Sequence, residues 1–219
     1  MIASQETIAA LATPVGTAAL AVVRVSGPGS AGLARRIFSK EPHPRVSRHA
    51  DYRSLSGELL DDVVYTFYAG PRSYTGEDAL EVSCHGNPFI AQRILEDLFA
   101  RGCRAAAPGE FTQRAFLGGR IDLSQAEAVM DVIHARSERA LAVAQQQLRG
   151  ALGRKMTALV DELVDALART EAYIDFPDED LPAEDRGLVG QMVADVLRGT
   201  DELLATSHYG ELLRDGVRT

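Results

Sequence analysis

Ser73-Tyr-Thr-Gly-Glu-Asp-Ala-Leu-Glu-Val-Ser-Cys-His-Gly86 decides how the first half of this chain is read. From Ala79 to His85 polar and apolar residues alternate, which is the period of a strand with one packed face. Leu80, Val82 and Cys84 fall on one side, and Glu81, Ser83 and His85 on the other. A carboxylate on a strand face, as Glu81 is, can accept two parallel hydrogen bonds from a ring carrying an N–H beside an exocyclic amino group, as a pterin or guanine does. The competing reading is an ordinary solvated strand face. His85 has the near-neutral pKa of a general acid or base. No Ser, Cys or Asp pattern makes a triad with it, so a structural histidine is favoured.

Upstream, Ala18 to Ser26 reads as a second strand, with Leu20, Val22 and Arg24 on one side and Ala21, Val23 and Val25 on the other. Arg24 is the one charge in that apolar run, and its guanidinium needs a carboxylate, carbonyls, solvent or an anionic ligand. Gly27-Pro-Gly-Ser30 turns the chain, and Ser30 is placed to cap a helix over Ala31 to Phe38. Asp61 to Ala69 alternates as a strand. Pro88 to about Arg101 carries the apolar stripe Ile90, Ile94, Leu95, Leu98 and Phe99, with Gly102 beyond it as a helix stop. Cys103 to Ala107 suits one more short strand.

A second polar segment, Pro108-Gly-Glu-Phe-Thr-Gln-Arg-Ala-Phe-Leu-Gly-Gly-Arg120, holds Arg114 and Arg120. Either suits a bound anion such as the glutamate tail of a folate, and exposed surface arginines are the commoner case. From about residue 120 the period becomes helical. Ser124 to Ala135 is one helix, and a much longer one is expected from near Ser137, with Leu141, Leu148, Leu152, Leu159, Leu163 and Leu167 recurring at helical steps. Pro177, in the turn Asp175-Phe-Pro-Asp-Glu-Asp180, ends it. The carboxylates of that turn fit helix capping better than a cation loop. A last helix is expected from Glu184 to Tyr209.

Composition narrows the function. The chain has 219 residues, 46% of them hydrophobic, and a net charge of −8, which excludes a broad phosphate-binding surface of its own. The two cysteines, Cys84 and Cys103, form no CxxC pair, so neither zinc nor a disulfide framework is indicated and a reducing cytoplasm fits. No secretory leader and no membrane-spanning run is read. Gly-x4-Gly-Lys-Ser/Thr occurs nowhere, so no phosphate loop is present to bind GTP.

The whole chain resembles the MnmE (TrmE) family of tRNA-modifying GTPases. The matching motifs, in family order, are Thr7-Ile-Ala, Ala12-Thr-Pro, Val23-Arg-Val-Ser-Gly27, Thr75-Gly-Glu-Asp78, His85-Gly86, Pro108-Gly-Glu-Phe111, Arg114-Ala-Phe-Leu117, Gln125-Ala-Glu-Ala128, Ile174-Asp-Phe-Pro-Asp-Glu179 and Leu212-Leu-Arg-Asp-Gly216. The resemblance implies an α+β fold in two parts. Residues 1–119 form a mixed-sheet domain similar to folate-binding aminomethyltransferase modules, which binds one-carbon tetrahydrofolate (formyl- or methylene-tetrahydrofolate) and makes a homodimer. Residues 120–219 form the first part of an all-α helical bundle domain, ending where a GTPase domain is inserted in the family.

It implies further that full-length relatives act with the FAD protein MnmG on the wobble uridine of certain tRNAs, using GTP, Mg and K through the domain not found here. Carried over by position, the folate contacts are Arg24, Glu81 and Arg120. No catalytic residue and no metal ligand is assigned. Arg120 stands where the family has lysine, and Asn87 where a second glycine often follows His-Gly. Two alternatives remain: a dimerisation and docking scaffold for MnmG, and a stand-alone folate-dependent aminomethyltransferase-like enzyme. A helical domain lacking its later helices is expected to expose stripe residues such as Leu148, Leu159 or Leu163.

Overall fold

A computed structural model describes residues 6–175 and 184–215, with side chains in 6–175 and 187–205. The chain divides into two compact units, Met1–Ile121 and Asp122–Thr219.

The first unit is built on one sheet. Strands β1 (Ile8–Leu11), β2 (Leu20–Ser26), β3 (Ser47–Arg53), β4 (Leu59–Tyr68), β5 (Ala79–His85) and β6 (Arg104–Ala105) lie in the order β3-β4-β5-β2-β1-β6. Every neighbouring pair is antiparallel except β1 and β6, so the sheet is mixed, as expected. Helices α1 (Ser30–Phe38) and α2 (Pro88–Ala100) cover one face. The alternation in β2 and β5 supplies that core: Val23, Val25, Leu80, Val82 and Cys84 pack with Leu33, Ile37, Ile94 and Leu98, all buried. Burial of this apolar surface is the main stabilising term of the unit. The opposite face keeps Arg24 and Glu81, and α3 (Glu110–Leu117) brings Phe111 to that face.

Several expectations are corrected. Ser30 does not cap α1: Gly29 holds the cap position without a side-chain bond, and the Ser30 hydroxyl donates instead to the carbonyls of Gly27 and Asp78 at 2.8 and 3.0 Å. That ties the turn after β2 to the start of β5. The strand drawn over Cys103 to Ala107 narrows to Arg104–Ala105. Strands β1 and β3 and helix α3 were not read from the sequence at all. Asn87 needs no glycine substitute: its backbone is extended at φ −102°, and its side chain accepts from Phe89 N at 2.9 Å, capping α2.

In the second unit the helices are α4 (Leu123–His134), α5 (Glu138–Leu148), α6 (Ala151–Asp175) and α7 (Glu184–Asp215). The single long helix expected from Ser137 is two. Gly150 adopts φ +76° and its N–H reaches Gln147 O at 2.8 Å, a left-handed helix stop that outweighs the continuing leucine period. Gln125 Nε2 and Arg154 Nη1 then satisfy the exposed carbonyls of Leu148 and Arg149 at 2.9 and 2.6 Å. Helix α4 begins with a capping box, in which Asp122 accepts from Gln125 N and Gln125 accepts from Asp122 N. The turn carboxylates Asp178, Glu179 and Asp180 lie outside the described residues.

Among the described residues of this unit, the buried hydrophobic ones are Ala128, Ala144, Ala166 and Val196, mostly small. Of the leucines expected to be exposed, Leu163 is, whereas Leu148 and Leu159 are half-buried, Leu159 lying against Gly199. Met156, Val160, Val164 and Leu167 continue the exposed line along α6.

Candidate functional site

The site grows from the strand alternation. Because β2 and β5 pair with Arg24 opposite Glu81, these two charges on the sheet face away from α1 and α2 are brought together. Arg24 Nε donates to Glu81 Oε1 at 2.8 Å and Nη2 lies 2.7 Å from the same oxygen. Tyr68, on β4 next in the sheet, donates its hydroxyl to the other oxygen, Oε2, at 3.3 Å. Burial, followed by the adjoining Glu81 carboxylate, pushes the Tyr68 phenol above its ordinary pKa, so it stays a donor.

Two further segments wall this pair into a cavity of about 210 Å³, lined by Arg24, Ser26, Tyr68, Tyr74, Thr75, Ala79, Glu81 and Phe111. The Arg24 guanidinium lies 5.5 Å from the centre of the Tyr74 ring and 5.9 Å from that of Phe111, within cation–π range of both. Tyr74 rides on the turn before β5 and Phe111 on α3. The two are joined at the rim by Tyr74 Oη and Thr112 Oγ1, 2.9 Å apart. Sites for whole drug-sized ligands measure roughly 300–1,000 Å³, so this one is smaller than a site that encloses such a molecule whole.

Glu81 is the acceptor that the cavity offers to a donor edge. A carboxylate offers about four lone-pair positions, of which the two Arg24 nitrogens take both on Glu81 Oε1 and the Tyr68 hydroxyl one on Oε2. One position on Oε2 stays open to a ligand N–H, and a second donor on Oε1 would have to displace an Arg24 nitrogen. The hydroxyls of Ser26 and Thr75 are bonded to each other at 2.7 Å, and no imidazole lines the cavity to activate them.

Of the residues expected to contact folate, Arg24 and Glu81 are brought into one cavity. Arg120 is not among the lining residues: it is exposed, and its stem lies against the backbone of Gly76. Arg114 departs from both readings of it. It is buried and ion-paired to two carboxylates, Glu110 at 2.9 Å and Glu77 at 3.0 Å, so it is neither a surface arginine nor a receiver for an anionic tail. Tyr68, Tyr74 and Phe111 were missed, although the aromatic residues within the two polar segments were a usable signal. His85 is exposed and bonds through Nδ1 to Asp61 Oδ1 at 2.8 Å, away from the cavity lining. The Asp61 carboxylate holds it above its ordinary pKa.

A wider concavity of about 460 Å³ in the helical unit includes Asp122, Gln125, Arg149, Gly150, Arg154 and Asp161 in its lining. Asp122, Gln125 and Arg154 already serve the helix ends described above. Among the described residues no group of three His, Cys, Asp or Glu is placed to hold a metal, and no helix is long and apolar enough to cross a membrane.

The family model described as "GTP-binding protein TrmE N-terminus" matches residues 7–120, and "MnmE helical domain" matches residues 123–218. This chain belongs to the MnmE family. Similar curated relatives, each named "tRNA modification GTPase MnmE", include those of Opitutus terrae, 58% identical over 215 residues, and Akkermansia muciniphila, 45% identical over 219 residues; each alignment covers 98% of the chain. The Aquifex aeolicus relative is 44% identical over 216 residues. The MnmE-family chain spans about half the length of these relatives, 48–49% of each. Its cavity lies wholly within the part matched to the TrmE N-terminus.

Proposed function

We propose that this chain is the one-carbon-folate-binding and dimerising portion of an MnmE-type protein that modifies the wobble uridine of tRNA. The observation that carries it is the Arg24–Glu81 pair enclosed by Tyr68, Tyr74 and Phe111. A carboxylate flanked by aromatic faces suits the donor edge and flat body of a pterin. The folate is formyl- or methylene-tetrahydrofolate, whose glutamate tail leaves the cavity, with Arg120 at hand outside it.

Formation of a homodimer, likeness to folate-binding aminomethyltransferase modules, partnership with MnmG and a cytoplasmic location belong to the same reading. GTP hydrolysis, with Mg and K, belongs to a further domain of the longer protein, because no phosphate-loop motif occurs in these 219 residues. The tRNA is held through the complex. Residues 122–219 contain 19 Asp and Glu against 10 Lys and Arg, which makes the helical half repel phosphate rather than gather it.

The test is calorimetric titration of the chain with formyltetrahydrofolate, alongside Arg24→Ala and Glu81→Ala variants checked by circular dichroism. Saturable binding weakened at least about tenfold by each substitution is expected. Absence of binding by the folded chain refutes the folate reading. It would favour the docking scaffold for MnmG, a reading that draws on the exposed apolar line along α6.

A further inference from the structure

The two segments that wall the cavity meet behind it at one buried side chain, Arg114. Arg114 Nη2 donates to Glu110 Oε1 at 2.9 Å, one turn earlier on α3. Its Nη1 donates to Glu77 Oε2 at 3.0 Å and to the carbonyl of Glu6 at 2.9 Å. Glu77 Oε2 also accepts from Ser26 Oγ at 2.8 Å, and Ser26 in turn meets Thr75 Oγ1 at 2.7 Å. The Ser73 hydroxyl anchors to Glu77 O. Thus the turn that carries Tyr74 and Thr75 is fastened through Glu77 to Arg114, which sits on the same helix as Phe111, while Glu110 holds Arg114 from within that helix and is itself held by Arg104 at 2.6 Å.

We infer that Arg114 is a positioning residue for the cavity: with Glu77 it sets the spacing of Tyr74 and Phe111, although it touches neither the cavity nor anything bound there. This rests on the folate reading for the identity of the ligand and deepens it. Planar recognition tolerates little displacement of its walls, and a buried fork of charge-assisted bonds fixes two segments more rigidly than a single contact does. Lysine at position 114 keeps the charge but cannot reach both carboxylates and the Glu6 carbonyl in one plane.

The test uses the full chain with Arg114→Lys, Glu77→Gln and Tyr74→Ala, singly, and Arg114→Lys with Tyr74→Ala together. Formyltetrahydrofolate is titrated calorimetrically, and backbone hydrogen exchange is followed without ligand. Arg114→Lys is expected to weaken binding at least about tenfold. The double variant is expected to bind no worse than Tyr74→Ala alone, because Arg114 acts through the wall on which Tyr74 sits. In the exchange experiment, Arg114→Lys and Glu77→Gln are expected to speed amides of residues 73–78 and 110–117 while leaving β2 and β5 protected. Additive losses of affinity, or exchange that is unchanged or faster everywhere, overturn the inference. If the parent chain binds no folate, the ligand assignment falls and the exchange pattern still decides the positioning role.

Discussion

Arg24 and Glu81 stand directly opposite in the β2–β5 register, and two nitrogens of Arg24 converge on the single oxygen Oε1 of Glu81. The side chains keep 32% and 27% of their exposure, so water already screens the pair. Its contribution to folding is therefore small, about 1 kcal/mol or less. Arg24→Ala should leave the urea unfolding midpoint nearly unchanged while affecting ligand binding. A loss above about 2 kcal/mol would make the pair a fold element rather than a binding one.

Gly86 follows β5 where the chain passes under Ala18. A Cβ there would sit 2.3 Å from Ala18 O, and the same backbone is held by Ala18 N to Gly86 O at 2.9 Å and Gly86 N to Ala19 O at 3.2 Å. Neither strand end can yield without losing these bonds. Gly86→Ala is expected to cost about 2–4 kcal/mol in chemical denaturation. Asn87→Ala beside it should cost only about 1 kcal/mol, the value of its cap.

The Arg104 guanidinium, aided by Ala107 N–H and Arg114, holds the Glu110 carboxyl down to about 2, against an ordinary 4.5. A carboxylate with a lowered folded pKa stabilises the protein above its ordinary value, and that stability disappears as pH falls toward the folded value. Thermal melts between pH 4.5 and 2 should therefore show the parent chain losing stability more steeply than Glu110→Gln. Parallel curves would contradict the assignment.

His85 runs in the other direction. Asp61 raises its pKa above the ordinary 6.5 through a hydrogen bond and charge attraction. The pair stabilises fully below that ordinary value and fades as pH rises through the higher folded one. Proton NMR titration should find the His85 midpoint above 6.5, and Asp61→Asn should bring it down. An unchanged midpoint in the variant would show that Asp61 is not the cause.

Which parts of this were legible in sequence follows from what makes a pattern local. The β5 alternation foretold that Glu81 leaves the core, and the single charge on β2 foretold that Arg24 does too. Their meeting depends on register, which no local pattern contains. The strand Ser47–Arg53 hid because it is an edge strand whose inward period is carried only by Tyr52 and the small Ala50. Helix α3 hid because Arg114, for which an exposed position is the commoner reading, is buried in it together with Glu110 and Ala115. The break at Gly150 was visible as a glycine, yet the leucine period across it argued for continuity.

The alanine-lined centre of the helical unit has a calorimetric consequence. Unfolding raises heat capacity in proportion to newly wetted apolar surface, and α6 already shows Met156, Val160, Leu163, Val164 and Leu167 to water. Melting residues 122–215 should therefore add little to the heat-capacity step, and most of that step should accompany loss of the sheet. A scan of this chain should then show a shallow early transition followed by a sharper one, and the sharper one alone should bend the stability curve toward cold denaturation.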